Sequence, residues 1–146
     1  MKTNAEGETL IKDFEKLRLK AYLCPAGVPT IGYGATRYED GTKVKLGNTI
    51  TKERAEKLFK SLVNDFEKDI SKLIKVDLNS NQFSALVSFA FNVGVGNFKN
   101  STLLRKINSG DLEGASKEFE RWIYSNGKKL RGLIRRREAE KELFLT

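Results

Sequence analysis

The sequence predicts an α+β fold that is mainly helical, with a small antiparallel sheet lobe near the N-terminus joined by a long helix to an all-helical lobe. Three observations predict it. Both prolines and five of the glycines crowd into residues 21–48 among β-branched and aromatic residues, helical periodicity then runs unbroken for more than 20 residues after Thr51, and every apolar segment beyond residue 76 keeps helical spacing.

In chain order, Leu10, Ile11, Phe14 and Leu17 form the stripe of a short amphipathic helix over about 6–17. Gly27, Gly32, Gly34, Gly41 and Gly47 then punctuate stretches such as Thr30-Ile31-Gly32-Tyr33 and Thr42-Lys43-Val44-Lys45, which predict about three short strands. Thr51 is a good N-cap, and Ala55, Leu58, Phe59, Leu62, Val63, Phe66, Ile70 and Leu73 continue one helical face from it. Gln82–Val93 is apolar on nearly every side, so it belongs at the centre of the second lobe, surrounded by other helices. Gly94-Val95-Gly96 reads as a helix stop and loop; no strand precedes it, which argues against a dinucleotide site. Three further helices follow, about 101–109, 112–126 and 131–144, each stopping at a glycine or the chain end. The sheet lobe is expected over about 14–52, the linking helix over about 53–75 and the helical lobe over about 76–146, with 1–13 packing on it.

At 146 residues and 39% hydrophobic, the chain has one domain's worth of residues and closes a core without staples. It contains no histidine and a single cysteine. Histidine-based triads, histidine-ligated zinc, cysteine-rich metal sites and internal disulfides are thereby excluded, and no metal or cofactor is expected. Chemistry must come from carboxylates, the one thiol, hydroxyls, amines or backbone. No apolar run approaches the roughly 20 residues of a membrane span, and the opening MKTNAEGE is charged, unlike a signal peptide. A cytoplasmic setting is therefore expected. The net charge of +8 attracts polyanions without selecting one, and residues 128–142 carry half of that excess. Such a helix signals nucleic-acid binding only in the company of a recognition motif, and none is present.

The segment from Phe14 to Tyr22, followed by Gly27–Gly34, places Glu15 in the last turn of a helix that feeds a glycine-rich hairpin. Beside Phe14 and Leu17 this carboxyl is partly desolvated, the condition for a general acid; otherwise it is a surface glutamate paired with Arg18 or Lys20. Asp13 and Asp40 are the next candidates for an acid.

These residues resemble the phage-type lysozymes, glycoside hydrolase family twenty-four. That family's pattern sets a Glu, an Asp eight residues on and a Thr five further, within a frame "E-G-L-R-L-x-A-Y … G-x-x-T-I-G-Y-G". Glu15 and Thr30 fill the first and third places with the spacing intact, and Cys24 replaces the Asp. The likeness continues in Gln82–Gly94, Ser101-Thr102-Leu103-Leu104, Arg121-Trp122 and Gly132–Glu138.

The resemblance implies a lysozyme-like fold in a monomer acting on bacterial peptidoglycan. It implies hydrolysis of the β-1,4 bond between N-acetylmuramic acid and N-acetylglucosamine with inversion, without nucleic acid and without membrane insertion. Glu15 would donate the proton to the glycosidic oxygen, and Thr30 would hold the attacking water. Cys24 would serve as base or nucleophile, or stand by in a weakened wall-binding homologue. Arg136 would pair with Glu15, with Arg135 and Arg137 as competitors or as a solvated basic face. Thr36, Phe91, Asn92 and Ser101 would line the sugar-binding cleft. Ala35 stands where the family has a structural histidine, and Lys16 where many members have glycine.

Overall fold

The computed structural model describes residues 1–146 and divides the chain into two compact units, Glu15–Asp65 and Met1–Phe14 with Phe66–Thr146. The mainly helical α+β class is as predicted from the sequence. The helices are α1 (Ala5–Glu15), α2 (Lys52–Leu73), α3 (Ser80–Val93), α4 (Val95–Lys99), α5 (Thr102–Asn108), α6 (Leu112–Glu118) and α7 (Arg131–Leu145). The strands are β1 (Arg18–Leu23), β2 (Pro29–Gly32), β3 (Tyr124–Ser125) and β4 (Lys128–Lys129). No helix is long and apolar enough to cross a membrane.

In the unit Glu15–Asp65, β1 and β2 pair antiparallel, with Tyr22 opposite Thr30, Leu23 opposite Pro29, and a bulge between Arg18 and Tyr22. The expected third strand is reduced to isolated bridges, Lys20 with Thr49 and Arg37 with Lys43. Positive φ at Gly34, Gly41 and Gly47 turns the backbone too often for a ladder to extend there. Ala21, Ile31, Ala35, Val44 and Leu58 form the core, with Tyr38, Ile50 and Leu62 packed on it. Ala35 is thus an apolar core residue, and no polar partner is needed where the family has a histidine. Thr51 caps α2 as expected, its Oγ1 accepting from the Arg54 N–H at 3.1 Å.

In the other unit α3 is the central helix, buried continuously from Phe83 to Ala90, and its largest interface is with α7. Asn79 opens α3 with a capping box, accepting from the Gln82 N–H at 2.7 Å while Gln82 Oε1 accepts from the Asn79 N–H at 2.9 Å. Phe89 anchors the aromatic core, its ring edge-to-face with Phe98, Phe119 and Trp122, and Phe119 in turn meets Phe144. Helix α1 approaches α3 so closely at Gly7 that a Cβ there would lie 2.6 Å from the Ser84 Cβ. No other residue fits that position.

Two further elements differ from the sequence reading. Gly94 alone, at φ 94°, ends α3, and the chain re-enters a helix at once as α4, so Gly94–Gly96 is not a loop. The helix expected over 112–126 stops at Glu118, passes through one 3-10 turn at Phe119–Arg121, and gives way to the β3–β4 hairpin. Asn126 (φ 52°) and Gly127 (φ 78°) supply the two left-handed residues that a tight hairpin turn requires.

Candidate active site

Helix α1 ends on Glu15 because the next residue, Lys16, adopts the left-handed conformation, φ 62°. Glycine favours this place just beyond a helix end, having no Cβ to clash. The Gly-to-Lys departure noted in the sequence therefore carries a conformational cost as well as a charge. The turn reverses the chain directly into β1, leaving the partly buried Glu15 at the junction. We expect Lys16→Gly to stabilise the fold by roughly 1 kcal/mol, net of the added freedom of the unfolded chain. A thermal melt should show a midpoint about 2–4 °C higher.

Cys24 and Thr30 stand on the β1–β2 hairpin. Pro25 and Ala26 form its tip and Gly27, at φ 77°, closes it; the Gly27 N–H donates to the Cys24 carbonyl at 2.8 Å and the Cys24 N–H to the Val28 carbonyl at 3.1 Å. This compact loop surrounds the thiol with backbone donors. The backbone of Val28 favours the thiolate most; desolvation, the second-largest effect, opposes it, and hydrogen bonds from the Ala26 backbone, the Thr30 side chain and the Cys24 backbone help to hold the Cys24 pKa below its ordinary value. A lowered value makes the thiolate available at lower pH than for an ordinary cysteine.

Thr30 is buried, and its Oγ1 donates to the Val28 carbonyl at 2.8 Å. A hydroxyl has one proton and two acceptor lone pairs. The Thr30 proton therefore goes either to Val28 or to the Cys24 thiolate. Glu15, Cys24 and Thr30 all belong to the one compact unit. Thr36, in the same unit, is exposed, and its carbonyl accepts from the Val44 N–H at 3.0 Å.

The remaining sequence-predicted residues lie in the unit built around α3. Of the three arginines, Arg135 is exposed, whereas Arg136 and Arg137 are buried, so the solvated basic face applies only to the first. Arg136 places its guanidinium 5.8 Å from the ring centre of Phe14, the residue before Glu15; its Nε donates to Glu140 at 3.2 Å and its Nη2 to the Ser88 carbonyl at 3.0 Å. Arg137 pairs its Nε with Glu140 Oε1 at 2.7 Å and lies over the Phe89 ring.

Glu140, fully buried and accepting also from the Ser88 hydroxyl at 2.6 Å, is the residue the sequence reading missed. Its signal was the i, i+3 and i, i+4 spacing from Arg137 and Arg136. Burial pushes the Glu140 carboxyl up and the Arg137 guanidinium down, each opposed by the charge of the other.

Phe91 is half-buried and stacks at 5.0 Å on Phe66, while the adjacent Asn92 is exposed and accepts at Oδ1 from Arg137 Nη2 at 2.8 Å. Ser101 lies in the same unit. It is 4% exposed and serves as N-cap of α5, its Oγ donating to the Phe98 carbonyl at 2.6 Å and accepting from the Leu104 N–H at 3.1 Å. A hydroxyl so engaged caps the helix.

Comparison with known proteins agrees with this local architecture. The chain matches the phage lysozyme family over residues 12–140. It is 46% identical to an endolysin of Bacillus phage B103 over all of its own length, and spans 55% of that relative's. Among solved structures, an endolysin from Escherichia coli O157:H7 phage FAHEc1 superposes with a TM-score of 0.89 at 39% identity, covering 99% of this chain and 94% of that one. The muramidase domain of SpmX from Asticaccaulis excentricus follows at 0.86 and 37%, covering 99% and 98%. A match over most of the chain, through both the hairpin and the arginine-bearing helix, shows that the chain belongs to the phage lysozyme family.

Proposed function

We propose that this protein is a peptidoglycan-degrading lysozyme, a glycoside hydrolase that cuts the β-1,4 bond between N-acetylmuramic acid and N-acetylglucosamine. The observation that carries the mechanism is the β1–β2 hairpin, which holds Cys24 at its tip and the buried Thr30 on its second strand, in the same compact unit as Glu15, with backbone donors that lower the thiol pKa. Glu15, protonated, gives its proton to the glycosidic oxygen as the C–O bond breaks. A water held by Thr30 attacks the anomeric carbon from the opposite face, and the Cys24 thiolate takes the proton that water loses. Transfer of that proton from Sγ back to Glu15 through solvent resets the site. The configuration inverts, because water adds directly to the anomeric centre. Arg136, over the ring of Phe14, supports the acid, and Thr36, Phe91 and Asn92 are proposed sugar contacts. The partner is a peptidoglycan strand; the reaction needs no nucleic acid, membrane insertion or second copy of the chain.

Digestion of purified peptidoglycan tests this reading. The expected products carry new reducing ends at muramic acid, with no new amino groups. Amino groups in their place would mean amide cleavage, anhydro-muramic ends would mean a lytic transglycosylase, and binding without any product would mean a wall-binding homologue.

A further inference from the structure

The carboxamide of Asn92 is held from behind by charges that lie outside the proposed chemistry. Arg137 Nη2 donates to Asn92 Oδ1 at 2.8 Å, and Arg137 is itself fixed on three sides: by the Glu140 carboxylate at 2.7 Å, by the Trp122 carbonyl 3.4 Å from its Nη1, and by the Phe89 ring 5.0 Å beneath it. Glu140 is locked in turn by the Ser88 hydroxyl and by Arg136. Arg137 and Glu140 are 1% and 0% exposed, whereas Asn92 reaches solvent.

A guanidinium has only donors, so it can pair only with the carbonyl end of an amide. With Oδ1 taken, the Asn92 Nδ2 group is left facing outward as a pure donor. An unfixed asparagine would offer either end. Phe91, its neighbour in sequence, is held by stacking on Phe66.

We infer that Glu140 and Arg137 are positioning residues that fix the polarity of Asn92, so that Asn92 binds the glycan strand by donating to an acceptor oxygen of its acetamido or lactyl groups. The inference rests on the muramidase reading for its ligand and adds the direction of the hydrogen bond and the residues that impose it. Holding the amide before the strand arrives removes an ordering cost from binding. The effect is therefore read in affinity.

The test measures Kd for a soluble peptide-free tetrasaccharide of alternating N-acetylglucosamine and N-acetylmuramic acid, in a Glu15→Gln background that binds without cutting. Asn92→Ala should weaken binding roughly tenfold, the worth of about one good hydrogen bond. Asn92→Asp should weaken it at least as much, because its carboxylate satisfies Arg137 but presents an acceptor to an acceptor. A purely structural Asn92, serving only to cap Arg137, predicts the opposite, namely that Asn92→Asp binds as well as its parent.

Arg137→Lys keeps a cation for Glu140 yet lacks the fork that reaches Asn92, and should weaken binding several-fold. Combined with Asn92→Ala it should add less than about twofold, since both changes remove the same contact. Parent-like binding by Asn92→Asp, or full multiplication of the Arg137→Lys and Asn92→Ala effects, would overturn the inference. Because Asn92 is exposed, its variants decide the matter even if Arg137→Lys folds poorly. Failure of the parent to bind the tetrasaccharide at all would instead overturn the muramidase reading, and this inference with it.

Discussion

A Glu15→Gln protein should fold as the parent does and keep no more than about 1% of its activity on peptidoglycan. The loss follows from chemistry, since a positioned general acid contributes typically 10²–10⁴ in rate, about 3–5 kcal/mol of barrier, and an amide cannot donate a proton to the departing oxygen. The fold should survive because the replacement is isosteric and Glu15 is the last residue of α1, where losing a negative charge does not weaken the helix dipole. Lysis or reducing-end release, measured beside a circular dichroism melt, separates the two effects.

The other acids the sequence offered are poorly suited. Asp40 is exposed, and its Oδ1 accepts from the Thr42 hydroxyl at 2.6 Å and the Thr42 N–H at 2.9 Å, which holds its carboxyl below the ordinary carboxylate range and keeps it ionised. An acid must hold its proton at working pH. Asp13 is exposed on α1, two residues before Glu15. More than a tenth of parental activity in a well-folded Glu15→Gln protein would show that the proton comes from elsewhere.

What the sequence revealed, and what it did not, divides along physical lines. Periodicity over many residues is a redundant signal, so α2 and α3 were legible: eight apolar positions on one face of α2 agree, and a single exception would not have hidden it. Turn chemistry is carried by two or three residues and is easily absorbed into a neighbouring pattern. Asn126-Gly127 was read as the end of a helix when it is the turn of the β3–β4 hairpin, and Asn79 and Gln82 spelled a capping box that apolarity overshadowed.

The candidate site shows the same division. The spacing of Glu15, Cys24 and Thr30 marked a family, but the lowered thiol pKa comes from backbone N–H groups of Val28 and Ala26, which no side-chain pattern encodes. Ser101 sits in a recognisable motif, from which its capping role was not read. That motif records the start of α5. Glu140 went unremarked because a glutamate in a basic helix reads as a surface residue. Only burial between Ser88, Arg136 and Arg137 gives it a role.

Replacement of Cys24 is the sharpest test of how the water is activated. Cys24→Asp should keep or raise activity, because a carboxylate at the same place on the hairpin can take the same proton, whereas Cys24→Ala should lose roughly 100-fold as the base disappears. The pH dependence distinguishes thiolate from carboxylate. The thiol pKa is depressed from its ordinary value of about 8.5, so the parent should hold its base at lower pH than a free cysteine would, yet lose it as pH falls through that depressed value. Aspartate stays ionised down to about pH 4, so the ratio of Cys24→Asp to parental rates should rise steadily as pH falls below neutrality.

Iodoacetamide supplies an independent reading of the same group. Its attack on this only thiol should follow the thiolate, with a midpoint below that of free cysteine, and should abolish activity in the parent while leaving the Cys24→Asp protein untouched. If Cys24→Ala matches the parent from pH 5 to pH 9, the thiolate takes no proton, and the water is activated by Glu15 and Thr30 alone.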